Sequence, residues 1–320
     1  GTALDIDATY NANDDQNTLD LKVLMYDNDV VLFQPFLKNL VSNMFGRVSA
    51  DLVVSGKLRT PQINGNLTLK NAGMTVKYLK TPYKISDKVE VENTVIKLNN
   101  LKLRDIKNNE AIANGTVNLS NLRNPEIHVN LVSRRFMALN TTAKDNPLYY
   151  GVAYGTGVFR FNGPTNDMRI VIDAKAEAGT VFNIPLNSSA TVSKNDFISF
   201  IGKDTTLNKQ QFSTFKGLTM DFDLEIDENS EVNIFTDLGK LSGRGKSELN
   251  LNITSLGDFE LYGEYLISSG KFQFTAQDFI NKNFKINQGG SIRWTGDPME
   301  AAINMKALYE VRTSTSPLYQ

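Results

Sequence analysis

The sequence predicts an all-β protein built as an elongated antiparallel sheet. Three observations carry this: apolar and polar residues alternate from end to end, turn signals recur every eight to twelve residues or so, and a loose internal repeat is visible. Alternation at period two places successive side chains on opposite faces, so each such run reads as a half-buried strand.

Taken in order, Leu4, Ile6 and Ala8 alternate with Asp5, Asp7 and Thr9, a first strand that begins almost at once. From Pro35 to Phe45 the period changes: Phe36, Leu37, Leu40, Val41 and Met44 fall at helical spacing behind a proline, predicting a short amphipathic helix over 35–45. Val48, Ala50, Leu52 and Val54 return to strand spacing. Residues 196–216 read as a loop or lid. Leu218, Met220, Phe222, Leu224 and Ile226 alternate with Thr219, Asp221, Asp223, Glu225 and Asp227, and Leu249, Leu251 and Ile253 follow. Phe259, Leu261, Gly263, Tyr265 and Ile267 repeat the pattern. Thr275 to Asn281 reads as a single helical turn, and Ile303, Met305, Ala307, Tyr309 and Val311 predict a last strand.

Between these runs lie Asn99-Asn100, Asn108-Asn109, Asn114-Gly115, Asn162-Gly163-Pro164, Leu256-Gly257-Asp258, Ser269-Gly270 and Gly296-Asp297-Pro298, all of turn composition. The repeat is a glycine-led strand that runs into a Gly/Pro turn and returns. Its copies are residues 55–65, 157–164 and 290–298. Repeated units that contact only their neighbours stack into elongated sheets. No composition shift marks a second domain.

Composition narrows function sharply. With no cysteine and one histidine in 320 residues, thiol nucleophiles, zinc fingers, Cys-ligated clusters and multi-His metal sites are excluded or nearly so. Lys+Arg 34 against Asp+Glu 35 leaves a net charge of −1, without the excess that nucleic-acid binding exploits. No stretch approaches the roughly 20 apolar residues of a membrane helix. The chain opens at Gly1-Thr2-Ala3 without a leader, and reads as a piece of a longer one. Absence of cysteine does not distinguish a cytoplasm from a periplasm.

Gly243-Arg244-Gly245-Lys246-Ser247 invites a phosphate-loop reading, but Lys240 stands where the motif needs its first glycine and a strand follows in place of a helix. A strand-turn-strand junction fits better. Asp221, Asp223, Glu225 and Asp227 share one strand face without the spacing of a calcium loop or a partnered acid. His128 falls on the polar side of a strand, and Trp294 on an apolar face with Ile292. No catalytic group, metal site or cofactor is expected, and the chain is not read as an enzyme.

What remains is the apolar face itself. Closed against a second sheet it is an ordinary core, and left curled and open it is a continuous trough suited to a lipid or protein ligand. On the order of twenty-five strands at about 4.8 Å each would give a trough of order 100 Å. Periodicity alone leaves the two closures open.

Several segments carry a signal of a different kind. They are Phe33-Gln34-Pro35-Phe36-Leu37, residues 52–69 with Leu58-Arg59-Thr60-Pro61-Gln62-Ile63-Asn64-Gly65, residues 78–85, and 103–115. The most specific is Gly289-Gly290-Ser291-Ile292-Arg293-Trp294-Thr295-Gly296-Asp297-Pro298 running on to Ala307-Leu308-Tyr309. Together these segments resemble the C-terminal region of the TamB family, the inner-membrane-anchored component of the translocation and assembly module; the resemblance covers most of residues 1–320, and the Asn/Lys-rich flavour is similar to members of Bacteroidetes type.

The resemblance implies a β-taco, a U-shaped sheet with a hydrophobic groove, of the AsmA-like group. It implies a periplasmic place in a Gram-negative bacterium, an inner-membrane anchor lying outside this chain, and an Omp85-type, TamA-like outer-membrane partner. The expected function is a conduit for phospholipid between inner and outer membranes, with a part in outer-membrane biogenesis. The alternative is a scaffold for outer-membrane β-barrel assembly that works by strand addition at sheet edges. Acyl chains would be held by Phe222, Leu224, Ile234, Leu251, Ile253, Phe259, Leu261, Phe272, Phe274, Ile292, Trp294 and Met305. The chain stops at Pro317-Leu318-Tyr319-Gln320, short of the family's last segment, which puts partner binding by this piece alone in doubt.

Overall fold

A computed structural model describes residues 3–11, 19–38, 40–58, 60–146, 148–186, 217–254, 258–276 and 280–310. The readings of 196–216 as a lid and of Leu256-Gly257 as a turn, together with Val311, lie outside them. The described strands form one sheet of twenty. The N-terminal part runs β1 (Ala3–Tyr10), β2 (Leu19–Asp29), β3 (Val41–Lys57), β4 (Thr60–Val76), β5 (Thr81–Ile85), β6 (Lys88–Glu92), β7 (Val95–Arg104), β8 (Glu110–Asn118) and β9 (Glu126–Thr141). Next come β10 (Tyr150–Pro164), β11 (Met168–Ala176), β12 (Val181–Pro185), β13 (Leu218–Ile226), β14 (Glu231–Thr236), β15 (Gly239–Ile253) and β16 (Phe259–Ala276). The sheet ends with β17 (Ile280–Ile286), β18 (Gly290–Gly296), β19 (Ala302–Asn304) and β20 (Ala307–Leu308).

Five pairs of short strands (β5/β6, β11/β12, β13/β14, β17/β18 and β19/β20) run end to end beside longer neighbours. β15, for example, pairs with β14 through residues 239–244 and with β13 through 247–253. The twenty strands therefore fill fifteen lanes, and the sheet is roughly 70 Å across at about 4.8 Å per lane, shorter than the sequence estimate. Pairing is antiparallel except at β11–β13 and β12–β14, which are parallel. Residues 187–216 intervene there, a connection long enough for the crossover a parallel pair needs.

The breaks between collinear strands line up. Glu177 N–H bonds the Tyr154 carbonyl at 2.8 Å, Glu231 N–H the Thr180 carbonyl at 2.9 Å, Gly289 N–H the Ile267 carbonyl at 3.0 Å, and Asn287 N–H the Lys306 carbonyl at 3.0 Å. The unbroken strands carry bulges on the same line, at Gly155–Gly157 and between Arg244 and Gly245. A bulge bends its strand and raises the local twist. The sheet thus has two limbs on either side of a fold line. β11, β13, β18 and residues 247–253 lie on the first; β12, β14, β17 and residues 239–244 lie on the second.

Buried side chains from both limbs share the same clusters. Ile184, Val232, Ile234 and Leu241 of the second limb pack with Leu249, Leu251, Leu261 and Trp294 of the first. A second cluster gathers Tyr83 and Phe136, ring centroids 4.7 Å apart, with Leu101, Ala113, Leu131 and Phe159, and Ile85 joins it as the ladder partner of Leu103. Over the strands that these clusters draw on, the apolar face of one sheet is therefore covered by that same face.

Several expectations are corrected here. The 35–45 helix shrinks to a four-residue turn, Gln34–Leu37, because β3 starts at Val41 and its ladder to β4 outweighs local spacing. At the ends of Thr275–Asn281, read as a helical turn, Thr275 pairs with Asn281 and Ala276 with Ile280 as strand residues of β16 and β17; residues 277–279 lie outside the described residues. The predicted last strand breaks at residues 305–306 into β19 and β20. Asn99-Asn100, Asn114-Gly115, Ser269-Gly270 and Gly243–Ser247 lie inside β7, β8, β16 and β15, and none of them reverses the chain. At Asn100 (φ 54°) the left-handed residue makes a bulge, with its N–H bonded to the Asn114 side-chain oxygen at 2.8 Å. Residue types that turn a chain also kink a strand, so composition does not tell the two apart.

Gly115 (φ +140°) leaves no room for a side chain, since a Cβ there would sit 2.0 Å from the His128 carbonyl oxygen; Gly56 (φ +91°) has open space. Gly115→Ala is expected to cost about 1–3 kcal/mol or more, from strain plus displaced backbone, and Gly56→Ala distinctly less. Urea midpoints of the two variants check this, and equal shifts would refute it.

Candidate functional site

The apolar face is the one feature on the scale of a site. One cross-strand row runs Leu101, Ala113, Leu131, Phe159, Ile172, Phe222, Leu251 and Leu261, each residue opposite the next. It crosses eight strands without a polar side chain. Alternation puts these residues on one face, and in-register pairing joins them into a continuous stripe.

Eleven of the twelve residues expected to hold acyl chains belong to this face and its clusters. Ile234, Leu251, Leu261, Ile292 and Trp294 are buried, with Phe222, Leu224, Phe259, Phe272 and Met305 half-buried against them. Ile253, with no exposed surface, belongs to a middle cluster. Phe274 is half-buried beside Phe272, ring centroids 6.3 Å apart, outside these clusters. Trp294 donates its indole N–H to the Pro298 carbonyl at 3.2 Å, which satisfies the one polar atom it carries into the core.

The middle cluster joins the tips of the limbs. Leu139 and Tyr149 of the second limb meet Met168, Ile170, Met220 and Ile253 of the first. The Tyr78 hydroxyl donates to Met220 Sδ at 3.1 Å and lies 3.1 Å from the Tyr149 hydroxyl. The Tyr149 ring stacks on Phe182 at 5.5 Å and meets Phe222 edge-on at 5.8 Å. Burial pushes both hydroxyl pKa values up, Tyr149 to about 12, so the pair is neutral across physiological pH. These residues and the N-terminal part of the stripe escape the sequence-based selection, which begins at Phe222. Alternation through residues 127–133 and 168–174 signals the stripe; nothing local signals Tyr78 or Tyr149, which sit in connections between strands.

The polar face carries the charge. Lys175, Glu225, Glu248, Glu264 and Arg293 form one cross-strand row, three carboxylates between two cations. Lys175 pairs with Glu225 at 2.9 Å and Arg169 with Asp221 at 2.8 Å, so the acidic strand face is answered by its parallel neighbour. Two open concavities of about 840 and 450 Å³ lie on this face, lined mainly by charged and amide side chains. Among the described residues no group of three His, Cys, Asp or Glu could hold a metal. His128 is exposed, 3.1 Å from Glu126. No helix among the described residues is long and apolar enough to cross a membrane.

The TamB C-terminal domain family matches residues 99–320. No curated protein and no solved structure matches the chain.

Asp145 closes the turn after β9. It accepts from the backbone N–H of Thr142 at 2.9 Å and from the Thr142 hydroxyl at 2.8 Å, and faces Lys80 at 3.3 Å. Those contacts hold its carboxyl below the usual range, the Thr142 backbone bond foremost. A folded pKa below the unfolded one contributes stability above the unfolded value and loses it as pH falls through the folded value. The gain of wild type over Asp145→Asn, within about 1 kcal/mol for a partly exposed group, should therefore persist from pH 7 to 5 and vanish in stronger acid. Urea midpoints measured against pH test this, and a gain that grows in acid would contradict it.

Proposed function

The chain belongs to the TamB C-terminal domain family, and we propose that its apolar face is a conduit for the acyl chains of phospholipids moving between the two membranes of a Gram-negative envelope. The observation that carries this is the eight-strand stripe without a polar side chain. A lipid tail in contact with it gains roughly 0.8 kcal/mol per CH₂ removed from water and needs no directional partner. The charged face, turned the other way, keeps the outside of the conduit wet. Transport along such a stripe uses many shallow contacts in place of one tight site, and it calls for no catalytic group. In this reading the chain works in the periplasm, tied to the inner membrane through a segment outside it, with an Omp85-type partner at the outer membrane.

A second reading has its own observation. Every residue of β1 is exposed, with Leu4, Ile6 and Tyr10 at 53, 54 and 62%, and only one of its edges is paired among the described residues. An open edge of this kind suits strand addition by a nascent β-barrel or its insertase.

Leu251 and Leu261 are opposed at 3% and 0% exposure, so arginine there buries unpaired charge and tests folding in place of transport. Half-buried Leu224 is the better position. Leu224→Arg should retain strand content by circular dichroism while the phospholipid that co-purifies falls at least tenfold, by quantitative mass spectrometry. Undiminished lipid would sink the conduit. Cross-links from β1 to barrel proteins that survive this substitution would shift the weight to strand addition.

A further inference from the structure

We propose that Tyr78, Tyr149 and Met220 form a clasp that holds the two limbs shut over the middle of the apolar face, so that an acyl chain reaches this stretch only when the two hydroxyls part from the sulfur. The proposal rests on the conduit reading and locates its control point.

The contact spans the sheet. Tyr78 belongs to the connection between β4 and β5, Tyr149 lies just ahead of β10, and Met220 is the third residue of β13. β7, β8, β9, β10 and β11 separate β5 from β13 in the sheet, so the 3.1 Å contact from Tyr78 to Met220 closes across the fold and not along a ladder. Met220 is 1% exposed and Tyr149 3%.

The clasp also has its own mount. The Asn140 N–H donates to the Leu79 carbonyl at 2.9 Å, the Asn140 side chain donates to the Lys80 carbonyl at 3.3 Å, and Lys80 pairs with Asp145 at 3.3 Å. These contacts bind the two tyrosine-bearing connections to each other on the second limb. Met220 alone stands on the first. Separation thus needs the loss of the hydroxyl–sulfur contact together with the apolar contacts of the middle cluster, with the ladders of both limbs intact.

Position makes the clasp a control point. Phe161 and Ile172 pack against both the middle cluster and that of Leu101, Leu131 and Phe159, and Phe182, Phe222 and Phe259 against both the middle cluster and that of Leu251, Leu261 and Trp294. A tail that travels the length of the stripe passes through the middle cluster. The hydroxyls suit a reversible closure, because an aliphatic tail replaces the rings against Met220 while the freed O–H groups turn to water at the mouth.

The absence of native cysteine allows a direct test on the whole chain. Tyr78→Cys with Met220→Cys is bridged by a short bismaleimide carrying a cleavable disulfide, which fills the space of the lost phenol. A photoreactive phenylalanine analogue replaces Ile172, beneath the clasp, or Phe272, at the far end of the stripe. The protein is exposed to phosphatidylethanolamine–phosphatidylglycerol vesicles containing tritiated phospholipid. Bridging should lower labelling from position 172 at least fivefold, leave labelling from 272 unchanged, and be reversed by reductant. Equal labelling from 172 in the bridged and cleaved forms would overturn the clasp while the conduit stands. No labelling from either position without the bridge would overturn the conduit and the clasp with it. Tyr78→Phe with Tyr149→Phe keeps the rings and removes the hydroxyls; it should label from 172 several-fold faster than wild type, and an unchanged rate would count against the clasp.

Discussion

The structure depends on one constraint: among the described residues a single sheet with one apolar face has no second layer to cover it. Most domains bury such a face against helices or another sheet. Here the described residues offer a four-residue helix and two short 3-10 turns, too little to cover fifteen lanes of strand. The face has to be covered by itself, and every bulge and strand break on the fold line serves that end. Leu261 and Ile253 have no exposed surface and Trp294 is 2% exposed, although all three stand on the same face of the same sheet.

That constraint explains why the bend is discrete. A uniformly curved sheet would need many small distortions, whereas a break costs a few ladder bonds at one place, and those are partly recovered. Asp227 accepts from the Asn229 N–H at 2.9 Å in the β13–β14 break, and Thr180 receives the Tyr154 N–H at 3.1 Å in the β11–β12 break. Asp105, 2% exposed, accepts from the backbone of Lys107, Asn109 and Met137, pinning the β7–β8 turn to β9 where the bend reaches it. On the polar face Arg135 and Thr156 both reach Glu177, at 3.5 and 2.6 Å, and tie three lanes over the bend. Buried polar groups cost little when so paired.

The alternation of residues 218–226, 249–253 and 259–267 specifies strands, faces and even partners, because Phe222, Leu251 and Leu261 turn out opposite one another. It does not specify where a strand ends. Asn114-Gly115 and Ser269-Gly270 carry the composition of a hairpin yet lie within strands; at Gly115 (φ 140°) the positive φ that serves a reversal is held inside a ladder, and at Ser269-Gly270 the backbone stays extended. Whether the chain turns is decided by the neighbouring lane. β3 overrides a helical pattern at Val41–Phe45 for the same reason: its ladder to β4 supplies hydrogen bonds that a short isolated helix lacks. Tyr78 and Tyr149 are illegible for a different reason. Their partner lies 142 residues from Tyr78 and 71 from Tyr149, a relation that only the bend creates.

In the proposed conduit, self-coverage and ligand carriage are two uses of one surface. Hydrophobic contact is non-directional and roughly proportional to area, so a limb-to-limb contact and a limb-to-tail contact are interchangeable wherever the side chains involved are aliphatic or aromatic. The stripe meets that condition along its whole length, and a tail inserted between the limbs replaces one apolar neighbour by another. The cost of opening then concentrates where contacts are directional. Among the described residues those on the apolar face include the Trp294 N–H on Pro298, the Tyr83 hydroxyl on the Met137 carbonyl at 2.8 Å, and the Tyr78–Tyr149–Met220 contact. The first stays within four residues of chain. The second joins β5 to β9 on one limb, and only the third bridges the limbs. Where a sheet closes on itself by non-directional contact it is free to yield, and in the proposed conduit the resistance to its yielding resides in side chains that the strand pattern leaves unmarked.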